Sequence, residues 1–357
     1  MLNVKSQVSR ILSLAIWVIV LLLWSTTMGF PFHQNDQHIF TYRTDREVDV
    51  RIFLAVDKDE LPDHYYCDLF TPICLEDLCN PIEIRLEWDL LGNFRNYQEV
   101  KGKEITKFDH EPFEEDDHKK LKEILSDKES LLQDYHIEDL VDTTQKVYSA
   151  EIDGLTAATS KTFADKLVPG AIYTCYTLWH IINGEIADKI LAHTQANMSE
   201  ALKRKMLLRG SVAYQDFVLD RILPEERKTF QPELFELIDR ENPFIAIKSI
   251  RHLPDPNKLE PDVWKLIRNF DKYVLPVRSA IIQYFTRYPC NTSALKEWVH
   301  VSGTLSEQQK VGVYGIFEKN KSQLDKTTIA RLKAYLERRN DKLDGHDRKL
   351  MLILNNL

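Results

Sequence analysis

The chain has 357 residues, of which 43% are hydrophobic, 29% charged and 10% aromatic, and its formal net charge is −8. That length allows two domains and a sizeable core, and the acidity argues against a nucleic-acid partner. Glycine is sparse at 11, and neither a Gly-x-Gly-x-x-Gly fingerprint nor a P-loop occurs, which sets the glycine-rich nucleotide folds aside.

The amino terminus reads as a targeting segment. Lys5 and Arg10 precede an apolar run from Ile11 to Trp24, and Ser25-Thr26-Thr27-Met28-Gly29 follows. An apolar core of about 14 residues suits a secretory signal. Residues 1–30 are therefore a signal peptide, cut near Gly29 although no Ala-x-Ala is present, or an uncleaved anchor if the span runs on through Phe32. The basic flank holds the amino terminus inside, so both readings export the body of the chain. Residues 31–47 are polar and read as a linker.

Val48, Val50, Ile52, Leu54 and Val56 alternate with Asp49, Arg51, Phe53 and Ala55, the pattern of a half-buried strand. Asp57 to Asp63 ends it. A cysteine loop follows, with Cys67, Cys74 and Cys79 at C-x6-C-x4-C spacing. The spacing lacks the paired C-x2-C of zinc sites, so one disulfide within the cluster, its pairing open, is the expectation in an oxidising compartment. The cleanest strand is Ile82 to Trp88; Leu91-Gly92-Asn93 is its turn and Phe94 to Val100 the returning strand. Glu114 to Asp117 give an acidic first turn to a helix through Leu125. Asp109, His110, Asp117 and His118 match no metal-ligand spacing and read as solvated charges.

Asp153-Gly154-Leu155-Thr156-Ala157-Ala158-Thr159-Ser160 reads as a turn from a β-prone run, Val147 to Ile152, into a helical run, Ser160 to Leu167. A helix start there offers unpaired N–H groups and three hydroxyls to a phosphate. Pro169-Gly170 then breaks the chain, and Ala171 to Ile182 is a second helix. Tyr173, Tyr176, Trp179 and His180 line one side of it, and Cys175 is a buried small hydrophobe.

The Asp153–Thr159 stretch resembles the flavinylation motif of the FMN-binding domain family, which includes the C subunit of the sodium-translocating NADH:quinone reductase and the Rnf G subunit. Asp153, Thr156, Ala158 and Thr159 match the family's Asp-x-x-Ser/Thr-Gly-Ala-Thr pattern, and Ala157 stands where the family has Gly. The resemblance implies an antiparallel-sheet α+β domain carrying FMN through a phosphoester on Thr159, installed by a flavin transferase. It implies Thr156 and Ser160 as hydrogen bonders on the phosphate side and Asp153 as the acid that shapes the turn. Trp88, Phe94 or Tyr97 on the hairpin, and Tyr173, Tyr176 or Trp179 on the following helix, are the aromatics that would meet the isoalloxazine; core packing is the alternative for each. The localisation it implies is periplasmic, or membrane-anchored and facing outward.

From about Ile186 strand alternation disappears and helical runs recur with prolines at their starts, among them Pro232, Pro243, Pro261 and Pro276. Superposing Ile247–Ile250, Arg278–Ile281 and Lys310–Val313 gives a period of about 31–32 residues, which resembles short HEAT-like repeats of an α-solenoid. The expected architecture is thus α+β: residues 48–185 form the sheet domain and residues 186–357 an all-α repeat domain. Two functions follow. One is an exported flavoprotein relaying electrons to a redox partner protein or membrane complex. The other is a non-catalytic exported scaffold with a degenerate flavin-like domain, the reading that Ala157 favours. A hydrolase is set aside because no serine sits in a Gly-x-Ser-x-Gly elbow.

Overall fold

The structure is a computed structural model that describes residues 36–44, 47–72, 81–107, 110–137, 167–240, 242–259, 263–339 and 342–357 in full, and 141–148 and 155–159 as backbone. The amino-terminal segment lies outside these residues, and among them no helix is long and apolar enough to cross a membrane. The chain divides into two compact units, one ending at Met198 and the other spanning Ser199–Leu357.

The first unit is built on five antiparallel strands in chain order: β1 (Gln37–Arg43), β2 (Asp49–Val56), β3 (Pro62–Thr71), β4 (Ile82–Trp88) and β5 (Phe94–Glu99). Alternation sends Ile52, Leu54, Tyr65, Leu86 and Trp88 to one buried face. The segment expected to be a linker holds edge strand β1: Phe40 and Tyr42 are half-buried, and Tyr42 pairs with Val50 of β2. The cysteine loop is also shorter than expected. Cys67 sits inside β3, opposite Leu86, fully buried and free, so it forms no disulfide. Cys74 and Cys79 lie outside the described residues.

The β4–β5 turn is held by Asp89, whose carboxylate accepts from the N–H groups of Leu91 and Asn93. Gly92 turns at φ +73°, and a Cβ there would collide with the backbone carbonyl of Ala187. Gly92→Ala therefore adds left-handed strain to a backbone clash. We expect a loss of about 2–4 kcal/mol in urea unfolding, the sum of ordinary costs for the two effects.

Among the described residues, three α-helices complete this unit: α1 (Glu115–Ser126), which packs on β5, α2 (Ile172–Asn183), which packs on α1, and α3 (Glu185–Ala196). Glu114 and Asp117 form the capping box that starts α1. Trp88 ties β4 to α2, since its indole N–H donates to the Ile182 carbonyl over 2.9 Å. Tyr65 ties β3 to α3, with its hydroxyl 2.8 Å from His193 Nδ1 and 2.9 Å from Thr194 Oγ1. Those bonds keep α3 with the sheet, so the unit boundary falls after Met198 rather than at residue 185. A separate two-stranded hairpin joins β6 (Val141–Tyr148) to β7 (Leu155–Thr159).

The second unit is all helical among its described residues. It runs α4 (Glu200–Arg209), α5 (Val212–Leu219), α6 (Gln231–Asp239), α7 (Pro243–His252), α8 (Trp264–Arg268), α9 (Leu275–Arg287), α10 (Thr292–Val301), α11 (Glu307–Lys319), α12 (Lys326–Arg339) and α13 (Gly345–Asn355). Pro232, Pro243 and Pro276 occupy first-turn positions, where a missing N–H costs nothing. The packing follows two rows: α5, α7, α9, α11 and α13 touch in succession, as do α4 with α6 and α8 with α10 and α12. Ser, Asn and Asp side chains cap six of these helices by accepting from first-turn N–H groups.

Candidate functional site

Asp153 and Ser160 lie outside the described residues. Thr156, Ala158 and Thr159 fall in β7, where the sequence reading has a turn. Thr159 pairs with Val141, Ala158 with Asp142, Ala157 with Lys146 and Thr156 with Val147. The register slips between Asp142 and Lys146, so β6 carries a bulge opposite the Ala157–Ala158 step. β-branched Thr156 and Thr159 suit extended backbone, and this preference outweighs the turn-like appearance of the small residues between them. Ala157, placed where the family pattern has Gly, lies within this strand. Extended backbone accepts a Cβ at no steric cost, so the substitution brings no left-handed strain there.

The expected aromatic partners separate. Trp88 is fully buried with its indole N–H satisfied by Ile182 O, so its ring is part of the β4–α2 core. Tyr173 and Tyr176 are half-buried on α2. The Tyr176 ring lies 4.2 Å from that of His180, which packs edge-on against Trp179 at 5.0 Å. Trp179 donates to Asp127 O over 2.8 Å, and His180 Nε2 lies 3.1 Å from Leu132 O. The aromatic side of α2 therefore grips the segment that leaves α1.

A cleft of about 320 Å³ opens at that segment, lined by Lys120, Ile124, Ser130, Leu131, Leu132 and Leu167 and by the acidic Glu123, Asp127 and Glu129. Leu167 stands eight residues beyond Thr159 in the chain. Phe94 is half-buried beside Tyr97, at 6.4 Å between ring centroids. Tyr97 shares a 2.6 Å hydrogen bond with His118 Nδ1, and His118 Nε2 lies 3.8 Å from Glu99 Oε2. Burial pushes the Tyr97 phenol well above its ordinary value of 10.0, with Glu99 adding to the effect. The phenol is thus a hydrogen-bonding group rather than an acid. Asp117 is the N3 residue of the α1 capping box and sits 2.6 Å from Lys107 Nζ. Among the described residues no group of His, Cys, Asp and Glu could hold a metal ion.

Sequence reasoning missed the second face of the sheet. Phe53 stacks on Tyr66 at 5.4 Å, and Arg85 lies 4.4 Å over the Tyr66 ring while its Nε donates to Asp68 over 2.7 Å. The alternation of Arg51, Phe53, Tyr66 and Arg85 is visible in the chain, but their pairing across strands needs the register. Cys175 is buried on α2, as expected, and burial raises its thiol to about 12, so it is no thiolate nucleophile. No family model, no curated protein and no solved structure matches the chain.

Proposed function

We propose that the chain is an exported flavoprotein that carries FMN on Thr159 and passes electrons between partner proteins. The observation that carries this reading is the order Asp153, Thr156, Ala158, Thr159, which resembles the flavinylation motif, in a unit built on an antiparallel sheet. The extended backbone at Ala157 removes the steric objection to its departure from Gly. The cleft beside Leu167, with Tyr176, Trp179 and His180 behind its wall, is the space we assign to the isoalloxazine. FMN would supply one- and two-electron redox chemistry, and the protein would supply attachment, stacking and local charge. Thr159 is assigned as the attachment point, and Thr156, Ser160, Asp153 and Ala158 as the residues that shape and bind the phosphate end. Tyr173 and Tyr176 are assigned to the ring.

In this reading a flavin transferase loads the cofactor. The helical unit is a HEAT-like solenoid that meets the redox partner; the row in which α5, α7, α9, α11 and α13 touch in succession supports that description. The amino-terminal segment exports the chain to the periplasm or anchors it facing outward. The test is in-gel flavin fluorescence after denaturing electrophoresis of protein co-expressed with a transferase. A fluorescent band supports the covalent flavoprotein, whereas a dark band from a colourless preparation favours the non-catalytic scaffold.

A further inference from the structure

The second row of the helical unit is interrupted. Helix α4 packs on α6, and α8 on α10 and α10 on α12, but α6 and α8 lie less closely against one another than these neighbours do. A cleft of about 250 Å³ opens beside both helices, lined by Pro232, Phe235, Glu236 and Asp239 of α6, by Lys265 and Leu266 of α8, and by Tyr273. The four α6 residues recur every three to four positions and so share one face of that helix. Asp239 is exposed, while Phe235 and Tyr273 are half-buried, so the cleft is open to solvent.

The charges at this end of α6 work against the helix. Its last turn holds Glu236 and Asp239 and no basic residue. The carbonyl end of a helix already carries partial negative charge, so carboxylates there cost stability. Arg240, the residue after α6, offsets Glu236 at 2.7 Å. Asp239 has no such counter-ion among the described residues. Its partner is Tyr273, whose hydroxyl donates to Asp239 Oδ1 over 2.6 Å. Burial, and then that bond, raises the Tyr273 phenol above its ordinary 10.0, so it stays a donor and holds the carboxylate in place. Lys265 lines the wall without pairing with Asp239. What remains is a positioned carboxylate at a helix carbonyl end, with two aromatic rings on the same cleft.

We propose that this cleft binds a guanidinium group, the side chain of an arginine presented by a basic segment of a partner protein. Asp239 supplies the charge-assisted acceptor, and Phe235 and Tyr273 supply aromatic faces for a cation. A planar, weakly hydrated guanidinium uses both, whereas an ammonium is a compact, strongly hydrated charge, so arginine is favoured over lysine. The volume suits one long side chain and falls below the roughly 300–1,000 Å³ of small-molecule sites. A chain of net charge −8 also draws a basic partner towards it. The proposal is independent of the flavin reading, because every residue of the cleft lies in the second unit.

The test titrates Nα-acetyl-arginine amide into the full chain with ring-labelled tyrosine, following the Tyr273 ring by NMR, its resonance assigned with Tyr273→Phe. The lysine and citrulline analogues are titrated beside it; citrulline keeps the planar shape without the charge. The expected result is a saturable shift with arginine, a weaker one with lysine and none with citrulline. Asp239→Asn should weaken the arginine affinity by at least about tenfold through loss of a charge-assisted bond. The same variant should unfold at no lower temperature than the parent, since it removes a carboxylate from the negative end of α6. Lys265→Met should tighten binding, because it removes a competing cation from the wall. Absence of a saturable shift with arginine, an equal shift with citrulline, tighter binding of lysine than of arginine, or an unchanged affinity in Asp239→Asn overturns the proposal.

Discussion

Replacing Trp88 with Ala should cost the sheet unit about 3–5 kcal/mol, the usual range for deleting a buried indole. Trp88 has no exposed surface and fills the space between β4 and α2. Its removal opens a cavity and strips the Ile182 carbonyl of its donor. Trp88→Phe separates the two effects. It restores part of the volume but leaves the carbonyl orphaned, so a loss of about 1–3 kcal/mol is expected from that term. Urea unfolding followed by tryptophan-independent circular dichroism measures both. The same variant tests the role expected from the sequence: in flavin-loaded protein a core Trp88 leaves the flavin absorption maxima unmoved in Trp88→Phe, whereas a ring in contact with the isoalloxazine shifts them.

Lys310→Met should destabilise the helical unit by about 3–5 kcal/mol, the cost of breaking a buried ion pair from one side. Lys310 is 1% exposed and sits among Glu307, Asp344 and Asp347. Asp347 is wholly buried and also accepts from Tyr314 Oη over 2.7 Å. Without the ammonium its charge is left with Arg339, whose Nε lies 3.3 Å away. Replacing Lys310 and Asp347 together by apolar residues should recover part of the loss, because the unpaired charge is gone. The network also makes the unit acid-sensitive. Burial raises the Asp344 carboxyl, but its contacts with Glu307 and Lys310 and the hydrogen bond it accepts from the Asp347 N–H outweigh that and hold it well below 3.8. A depressed carboxyl stabilises the fold above its unfolded value and loses that contribution as pH falls below it. Stability measured against pH should therefore fall in the window beneath about pH 4, and fall less steeply in Lys310→Met, where the main cation has been removed.

The strands were legible where one face is apolar and the other polar. Ile82 to Trp88 is such a stretch, and its partner Phe94 to Glu99 is bounded by an Asp-Leu-Leu-Gly-Asn turn. β1 was not legible because an edge strand needs only one partner: Gln37-His38-Ile39-Phe40-Thr41-Tyr42-Arg43 mixes polar and aromatic residues without strict alternation. β7 was misread because Thr156-Ala157-Ala158-Thr159 has the small side chains of a turn, and its pairing depends on β6, which lies before the hairpin connection. In the helical unit Pro232, Pro243 and Pro276 marked helix starts. The unit boundary did not show, since α3 differs from the helices after it only in what it touches, namely Tyr65 through His193 and Thr194. The Lys310 network was beyond reach for the same reason: Asp344 and Asp347 follow Lys310 by 34 and 37 residues, and nothing local marks them as its neighbours.

The measurement that bears most directly on the flavoprotein reading is the intact mass of the chain co-expressed with a flavin transferase, beside Thr159→Ala. The account predicts a gain of one FMN less one water in the parent chain and none in the variant, with Thr156→Ala keeping a reduced fraction of the added mass. An unmodified parent mass from colourless protein, or an FMN adduct that persists in Thr159→Ala, would contradict it.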